Sequence, residues 1–525
     1  MLTGLGFVSA QTPWAAATQL ASAERVTVTD LTYAAPNTYY LCGDYRAALL
    51  WDDFPLPAPT GIGAFAARVD SLLRPVWILA DPGPNTDAFD VVRPGVQQDA
   101  YWAGSFRGSA TLGDSLYTVP GTQKAVFLLR TDTDGQVLRV WPGTGNGTKT
   151  LEDLTVAPDG SVYFTGSFTD TLRWGDRQLI STATDRLAYV GRLTPDGTVD
   201  WLRALGTAGI IDARAVTYAG ADRLVVSGDF NGTLPHGDQT LQTVGATKDV
   251  FVLGLRTDGT PTWARRLAGE QDDRVYAQVT DASGRTYLTG SMTAVLRFID
   301  GPSVQTPNFE TNAWLAAVDS TGAPLWLRTY GNEEPELATD LALQNGQLWL
   351  TGIFRKQTSL AGIGLAAPEN EGAGFVLRTD LLGNPETAFA LTGTDWVVQR
   401  RLAAAPDGSV VVGGRFNGAL ELPPYSLAAT TDYDGYLARR RPVLTATAEA
   451  PLPAVLIYPN PATDSVRWRS AVPVREVRLY DWTGSMWRRQ VNVDQLETTG
   501  LPRGAWIVEL TLADGRLLRQ TILLQ

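Results

Sequence analysis

Histidine and cysteine are almost absent from this chain: His236 and Cys42 are the only ones in 525 residues. A lone cysteine cannot close an internal disulfide, so it says nothing for or against export. A lone imidazole leaves one place for a Ser–His–Asp or Cys–His arrangement and rules out a His-rich zinc site. His236 follows a strand, where other repeats carry Trp51, Trp174 or Phe298, so it reads as a loop-packing residue. Apolar runs of eighteen or more are missing, which excludes a membrane-spanning helix. Missing too is any 3.6-period apolar run long enough for a helix. Basic residues are outnumbered, 43 Lys and Arg against 55 Asp and Glu, for a net charge of −12. Phosphate binding needs a basic surface, so nucleic acid is excluded as a main partner, and the acidity reads as a solubility feature. No cofactor motif is found.

What is present is repetition. Val162-Tyr163-Phe164-Thr165-Gly166-Ser167-Phe168 reads as a strand, and Gly166 has counterparts at Gly43, Gly104, Gly228, Gly290, Gly352 and Gly414. The spacings are 61, 62, 62, 62, 62 and 62 residues. Seven copies at a near-fixed period mean one supersecondary unit repeated and stacked. Each copy carries four strand signals with Asp-Gly turns, as at Asp159-Gly160 and Asp196-Gly197, where a hairpin needs positive φ. The third strand keeps an aromatic (Phe65, Phe127, Tyr189, Phe251, Trp314, Phe375, Tyr436) and the fourth a Trp (Trp77, Trp141, Trp201, Trp263, Trp326) or Phe389. These read as core packing between neighbouring units.

The seventh copy stops after its third strand, near Arg439. The missing fourth strand stands at the other end of the chain, where Trp14 to Leu20 matches Trp201 to Leu205. A terminal strand that completes the last unit closes a ring and removes open sheet edges. The expected fold is all-β: a seven-bladed β-propeller over 13–441, the N-terminal strand closing its last blade. The Val-Tyr-x-Thr-Gly-x-Phe strand and the Trp strand resemble the roughly 60-residue propeller repeats of secreted and surface bacterial proteins. That resemblance speaks to fold and not to function.

Residues 1–10 are apolar and small, and Val8-Ser9-Ala10 before Gln11 reads as a signal-peptidase site. The expectation is a residual signal peptide, cut between Ala10 and Gln11, whose start was assigned late. Residues 442–453 are rich in Ala, Thr and Pro and read as a linker. From 454 to 525 new strand signals follow, with Asp514-Gly515 as a hairpin turn, and suggest a small Ig-like β-sandwich. Tyr458-Pro459-Asn460-Pro461-Ala462, Leu479 to Gly484 and Leu501 to Trp506 resemble the C-terminal sorting domain of type IX secretion substrates. Pro459, Asn460, Pro461, Gly484 and Gly504 carry the resemblance. It implies export to the outer surface of a Bacteroidetes-type cell, with the secretion machinery as partner.

Acidic residues gather where each fourth strand leads to the next first strand. Asp153, Asp212, Asp272, Asp273, Glu333 and Glu334 are the candidate ligand-binding residues of that face, against the plainer reading of a solvated acidic rim. Near-equal repeats without a catalytic motif point to a monomeric, non-enzymatic binding or scaffold protein at the cell surface, with a glycan or protein ligand. The alternative is a secreted glycan-acting hydrolase or lyase using carboxylates on the same face.

Overall fold

The computed structural model describes residues 14–441 and 456–525, except 82, 84–87, 122, 183, 307–309, 332–333, 361, 369–371, 431, 460, 471–472, 482–484 and 514–516. The signal segment with Ala10 and Gln11, and the linker, lie outside the described residues, as do Glu333, Asn460 and Gly484. The elements are all strands, and no helix is long and apolar enough to cross a membrane. The chain divides into two compact bodies, Met1–Pro442 and Val443–Gln525.

In the first body each repeat folds as a four-stranded antiparallel meander. In the third repeat the strands are Asp153–Val156, Val162–Phe168, Leu187–Leu193 and Val199–Leu205, hydrogen-bonded in chain order. The turn glycines Gly160 and Gly197 take φ of 86° and 84°, as the Asp-Gly signals require. The other first strands are Val26–Ala34, Ala88–Pro94, Ala208–Tyr218, Arg274–Thr280, Glu336–Gln344 and Val397–Ala404. One cavity of about 310 Å³ is lined by residues from every first strand. The meanders therefore surround a shared axis with their first strands innermost, which is the architecture of a β-propeller.

Closure is by strand exchange between the two ends of this body. Trp14–Ser22 pairs antiparallel with Asp434–Arg440, from Trp14 opposite Arg440 to Leu20 opposite Gly435. The Asp434 carboxylate fastens the seam, accepting from Gln19 Nε2 at 2.6 Å and the Ser22 amide at 3.1 Å.

The repeated glycine has a steric cause. Six of the first strands carry a β-bulge, at Thr29, Asp90, Arg214, Tyr276, Thr339 and Arg400. A carbonyl in the first strand, or in unit three just before it, crowds the glycine of the second strand. A Cβ on Gly228 would meet Asp212 O at 2.0 Å and the Phe251 ring at 2.6 Å, and one on Gly166 would meet Thr150 O at 2.1 Å. No side chain fits between a bulged strand on one side and the third-strand aromatic on the other.

Three of the fourth-strand tryptophans join one unit to the next. Trp77, Trp141 and Trp201 donate their indole N–H to Thr133 O, Gly197 O and Thr257 O, in the turn between strands three and four of the following unit. At the closing seam Leu73, buried at φ 65°, fills the place of that turn's glycine, and Trp14 stacks edge-on against Phe389 instead.

Between second and third strands most repeats form a short hairpin. In the third repeat it is Thr171–Trp174 with Arg177–Ile180, anchored by buried Leu172 and Trp174. At four junctions this hairpin extends the fourth strand of the preceding unit: Leu50 opposite Ala21, Trp174 opposite Gly143, Phe298 opposite Leu267, and Leu420 opposite Gly393. The outer edges at these junctions are thus paired as well.

The second body holds a sheet of Leu456–Tyr458, Ser465–Arg469 and Gln495–Glu497, and another of Met486–Val491, Val474–Tyr480, Gly504–Leu512 and Leu517–Leu524. Ile457, Val466 and Leu496 of the first share one core with Val477, Leu479, Trp506 and Val508 of the second. Pro459 and Pro461 are exposed beside Tyr458, and Gly504 opens its strand at φ 132°.

Substituting Gly166→Ala is expected to cost about 1–3 kcal/mol through overpacking. Gly364→Ala, where a Cβ meets nothing within 4 Å, is expected to be near neutral. Urea unfolding of the two variants beside the parent chain checks the difference.

Candidate functional site

A bulge puts an extra residue into the innermost strand and re-aims side chains at the channel mouth. The residue after the bulge is Asp30 in unit one and Asp340 in unit six, and Asp153 holds the same place in unit three. Each carboxylate accepts a backbone N–H from the next unit. Asp30 takes the Val92 amide, Asp153 the Val216 amide and Asp340 the Leu402 amide, all at 2.9 Å. Arg93 spans two of them, 2.6 Å from Asp30 and 2.6 Å from Asp153. Arg401 lies 3.4 Å from Asp30. The channel is therefore lined by fixed charges of both signs.

Asp90 and Asp340 stand apart electrostatically. Burial pushes the Asp90 carboxyl up to about 7, with Lys124 offsetting only part of it. Burial likewise lifts Asp340 to about 6 against the pull of Arg401.

Units three to six hold the sequence candidates. Asp153 and Asp212 lie within first strands rather than in the loops before them. Asp212 is caged by Arg186 at 2.7 Å, Lys248 at 3.0 Å and Arg214 at 3.6 Å. Burial raises its carboxyl, but the hydrogen bonds from Arg186 and Lys248 outweigh that and hold it below the usual range. Arg214 also meets Asp229 at 3.0 Å and Glu152 at 3.4 Å. Asp272 is solvent-facing and accepts the Lys248 amide at 2.9 Å, so Lys248 ties it to Asp212. Glu334 pairs with Lys356 at 2.7 Å and shares no partner with the others.

Asp273 is fully buried. Its carboxyl oxygens lack a hydrogen-bond partner of good geometry. Burial first, then the charge of Asp249, push it up to about 8; the Thr293 amide offsets part of this. Asp249 is itself bound to Arg266 at 2.6 Å.

Sequence reasoning named the acids and missed their cations Arg93, Arg186, Arg214 and Lys248. For Arg93 and Arg214 the available signal was a charged residue within an innermost strand; Arg186 and Lys248 stand just before third strands, where nothing in the sequence marks them. His236 is buried, with Nε2 2.7 Å from Gly254 O, and burial lowers its pKa, as suits a packing residue. Among the described residues no cluster of three or more His, Cys, Asp or Glu has the geometry to hold a metal ion.

No family model and no curated protein matches the chain. Solved structures with a similar course include a variant of Synechocystis apocarotenoid oxygenase, at 12% identity and TM-score 0.36, covering 70% of this chain and 72% of that one. A glucose dehydrogenase aligns at 13% identity and TM-score 0.30, covering 67% and 99%. The PQQ-bound aldose sugar dehydrogenase of Streptomyces coelicolor aligns at 11% identity and TM-score 0.30, covering 64% and 96%. Scores this low carry no argument about activity.

The raised Asp273 carboxyl makes a pH signature. Its folded pKa of about 8 lies above the unfolded value of about 4. Between those values the folded state binds the extra proton, so this group's contribution to stability falls as pH rises from about 4 to about 8. Asp273→Asn is expected to gain melting temperature over the parent chain across that window and to hold the gain above pH 8. Thermal melts from pH 4 to pH 9 check it; parallel curves would show that Asp273 is ionised in the fold.

Proposed function

We propose that this chain is a seven-bladed β-propeller displayed outside the cell to bind a ligand, not to transform it. Its second body is a β-sandwich that serves as a type IX sorting domain. One observation carries the binding reading: the channel-mouth carboxylates Asp30, Asp153 and Asp212 are each engaged by arginine, lysine or backbone N–H. Charges neutralised in this way form a rigid recognition surface and lack the free acid–base pair that glycan cleavage uses. The near-equal repeats fit the same reading, because large insertions that would build a deep pocket are missing from a period of 61 or 62 residues. The export reading is supported by the sequence resemblance around Pro459, Pro461 and Gly504, on a body with its own core.

A second reading draws on Asp90 and Asp340. A carboxyl held at about 7 keeps part of its protons at neutral pH, as a general acid for glycan cleavage needs, while one at about 6 is mostly ionised there and suits the partner base.

Two experiments separate these readings. Fractionation of the producing cells is expected to recover the propeller at the outer surface, without the residues after 453; intact chain retained in the cytoplasm would contradict export. Purified protein incubated with a polysaccharide panel is expected to give no new reducing ends, whereas turnover abolished by Asp90→Asn would establish the enzymatic reading.

A further inference from the structure

The mouth of the propeller repeats two positions in six units: the bulge residue of the first strand, and the residue after the periodic glycine of the second. In unit four they are Arg214 and Asp229, of opposite charge and 3.0 Å apart. In unit seven they are Arg400 and Arg415, both cationic. Arg25, at the start of unit one, joins them.

This cluster is short of acceptors. Its nearest carboxylate is Asp44, which meets only Arg25, at 3.4 Å. The Nε atoms of Arg25, Arg400 and Arg415 are all buried without a hydrogen-bond partner. Arg415 has the Tyr433 ring, 4.8 Å from its guanidinium carbon, and no described oxygen accepts from either Arg400 or Arg415. By contrast, Arg93, Arg130 and Arg266 each reach a carboxylate within 2.6 Å. Burial and then the neighbouring arginines Arg415, Arg401 and Arg25 pull Arg400 down to about 10. Arg415 is lowered by burial and by Arg25, against Tyr433, Asp44 and Asp432.

Packing like charges together destabilises a fold, and in a chain of net charge −12 no general attraction accounts for it. Guanidinium forks left without acceptors match the geometry of a carboxylate, sulfate or phosphate. We infer that Arg25, Arg400 and Arg415 form a binding site for an oxyanion group at the unit-seven side of the channel mouth. It deepens the binding reading above by giving the ligand its chemistry: an oxyanion, supplied either by an acidic sugar or by a free inorganic ion. Arg401, next in the chain to Arg400, lines the channel, so a larger ligand held here reaches the axis.

The test uses the full chain in calorimetry and thermal melts with sodium sulfate, sodium phosphate and a uronic-acid trisaccharide, against sodium chloride at matched ionic strength. Oxyanions are expected to bind and to raise the melting temperature where chloride does not. The double variant Arg400→Gln, Arg415→Gln is expected to lose at least tenfold in affinity. In chloride it should melt at or above the parent temperature, since the repulsion is gone. Arg203→Gln, in the fourth strand of unit three, is the control and should bind as the parent does. Tighter binding of the trisaccharide than of sulfate assigns the ligand to sugars, and the reverse to inorganic ions; both support the site. Oxyanions that act no differently from chloride, or a double variant with parental affinity, would overturn it. Cleavage of the trisaccharide by the parent chain would defeat the binding-only reading while leaving the site standing.

Discussion

The contact on which the propeller depends is the near-collision of a bulged innermost strand with a glycine on its neighbour. At Gly228 the Asp212 carbonyl lies where a Cβ would be, and the Phe251 ring closes the other side. The bulge and the glycine are therefore one device. The bulge turns a side chain toward the mouth, and the missing side chain on the glycine gives the bulged backbone room. Because the device recurs, the mouth presents equivalent positions around the axis, and chemistry enters only through what occupies them.

Around that device several of the units are joined by polar contacts of recurring form. A post-bulge carboxylate accepts an amide from the next unit, as Asp30 does from Val92 and Asp340 from Leu402. On the outside a tryptophan donates to the following turn, as Trp141 does to Gly197. One bond sits near the axis and one near the rim, so neighbouring meanders are fixed in angle as well as in separation. Burying these groups would be costly if they were unpaired; pairing them across the junction turns that cost into register.

Much of this architecture was legible in the sequence, because a repeat states each feature several times. The period, the third-strand aromatics and the displaced strand at Trp14 could all be read directly, and Trp14 does pair with Arg440. The reason for the glycine could not, because it lies in a carbonyl from another strand. Nor could the charge pairing: Arg93 is adjacent to neither Asp30 nor Asp153 in sequence, and only the ring brings the three together. An acidic face inferred from Asp153 and Asp212 alone overlooks the cations that fold back onto it. At unit seven the reverse holds, since Arg400 and Arg415 stand out only once unit four's Arg214–Asp229 pair is known.

The hairpins that extend a neighbour's fourth strand occur at the junctions seven–one, two–three, four–five and six–seven. Elsewhere around the circle, among the described residues, junctions with and without such a ladder take turns; at unit seven the alternation breaks and two ladders flank the same meander. The unit completed by the N-terminal strand is thus clasped through backbone on either side. This double clasp compensates, in mechanical terms, for a join with no covalent link, and any loosening under load would begin away from the seam, at the junctions one–two or five–six, where no backbone pairing crosses among the described residues.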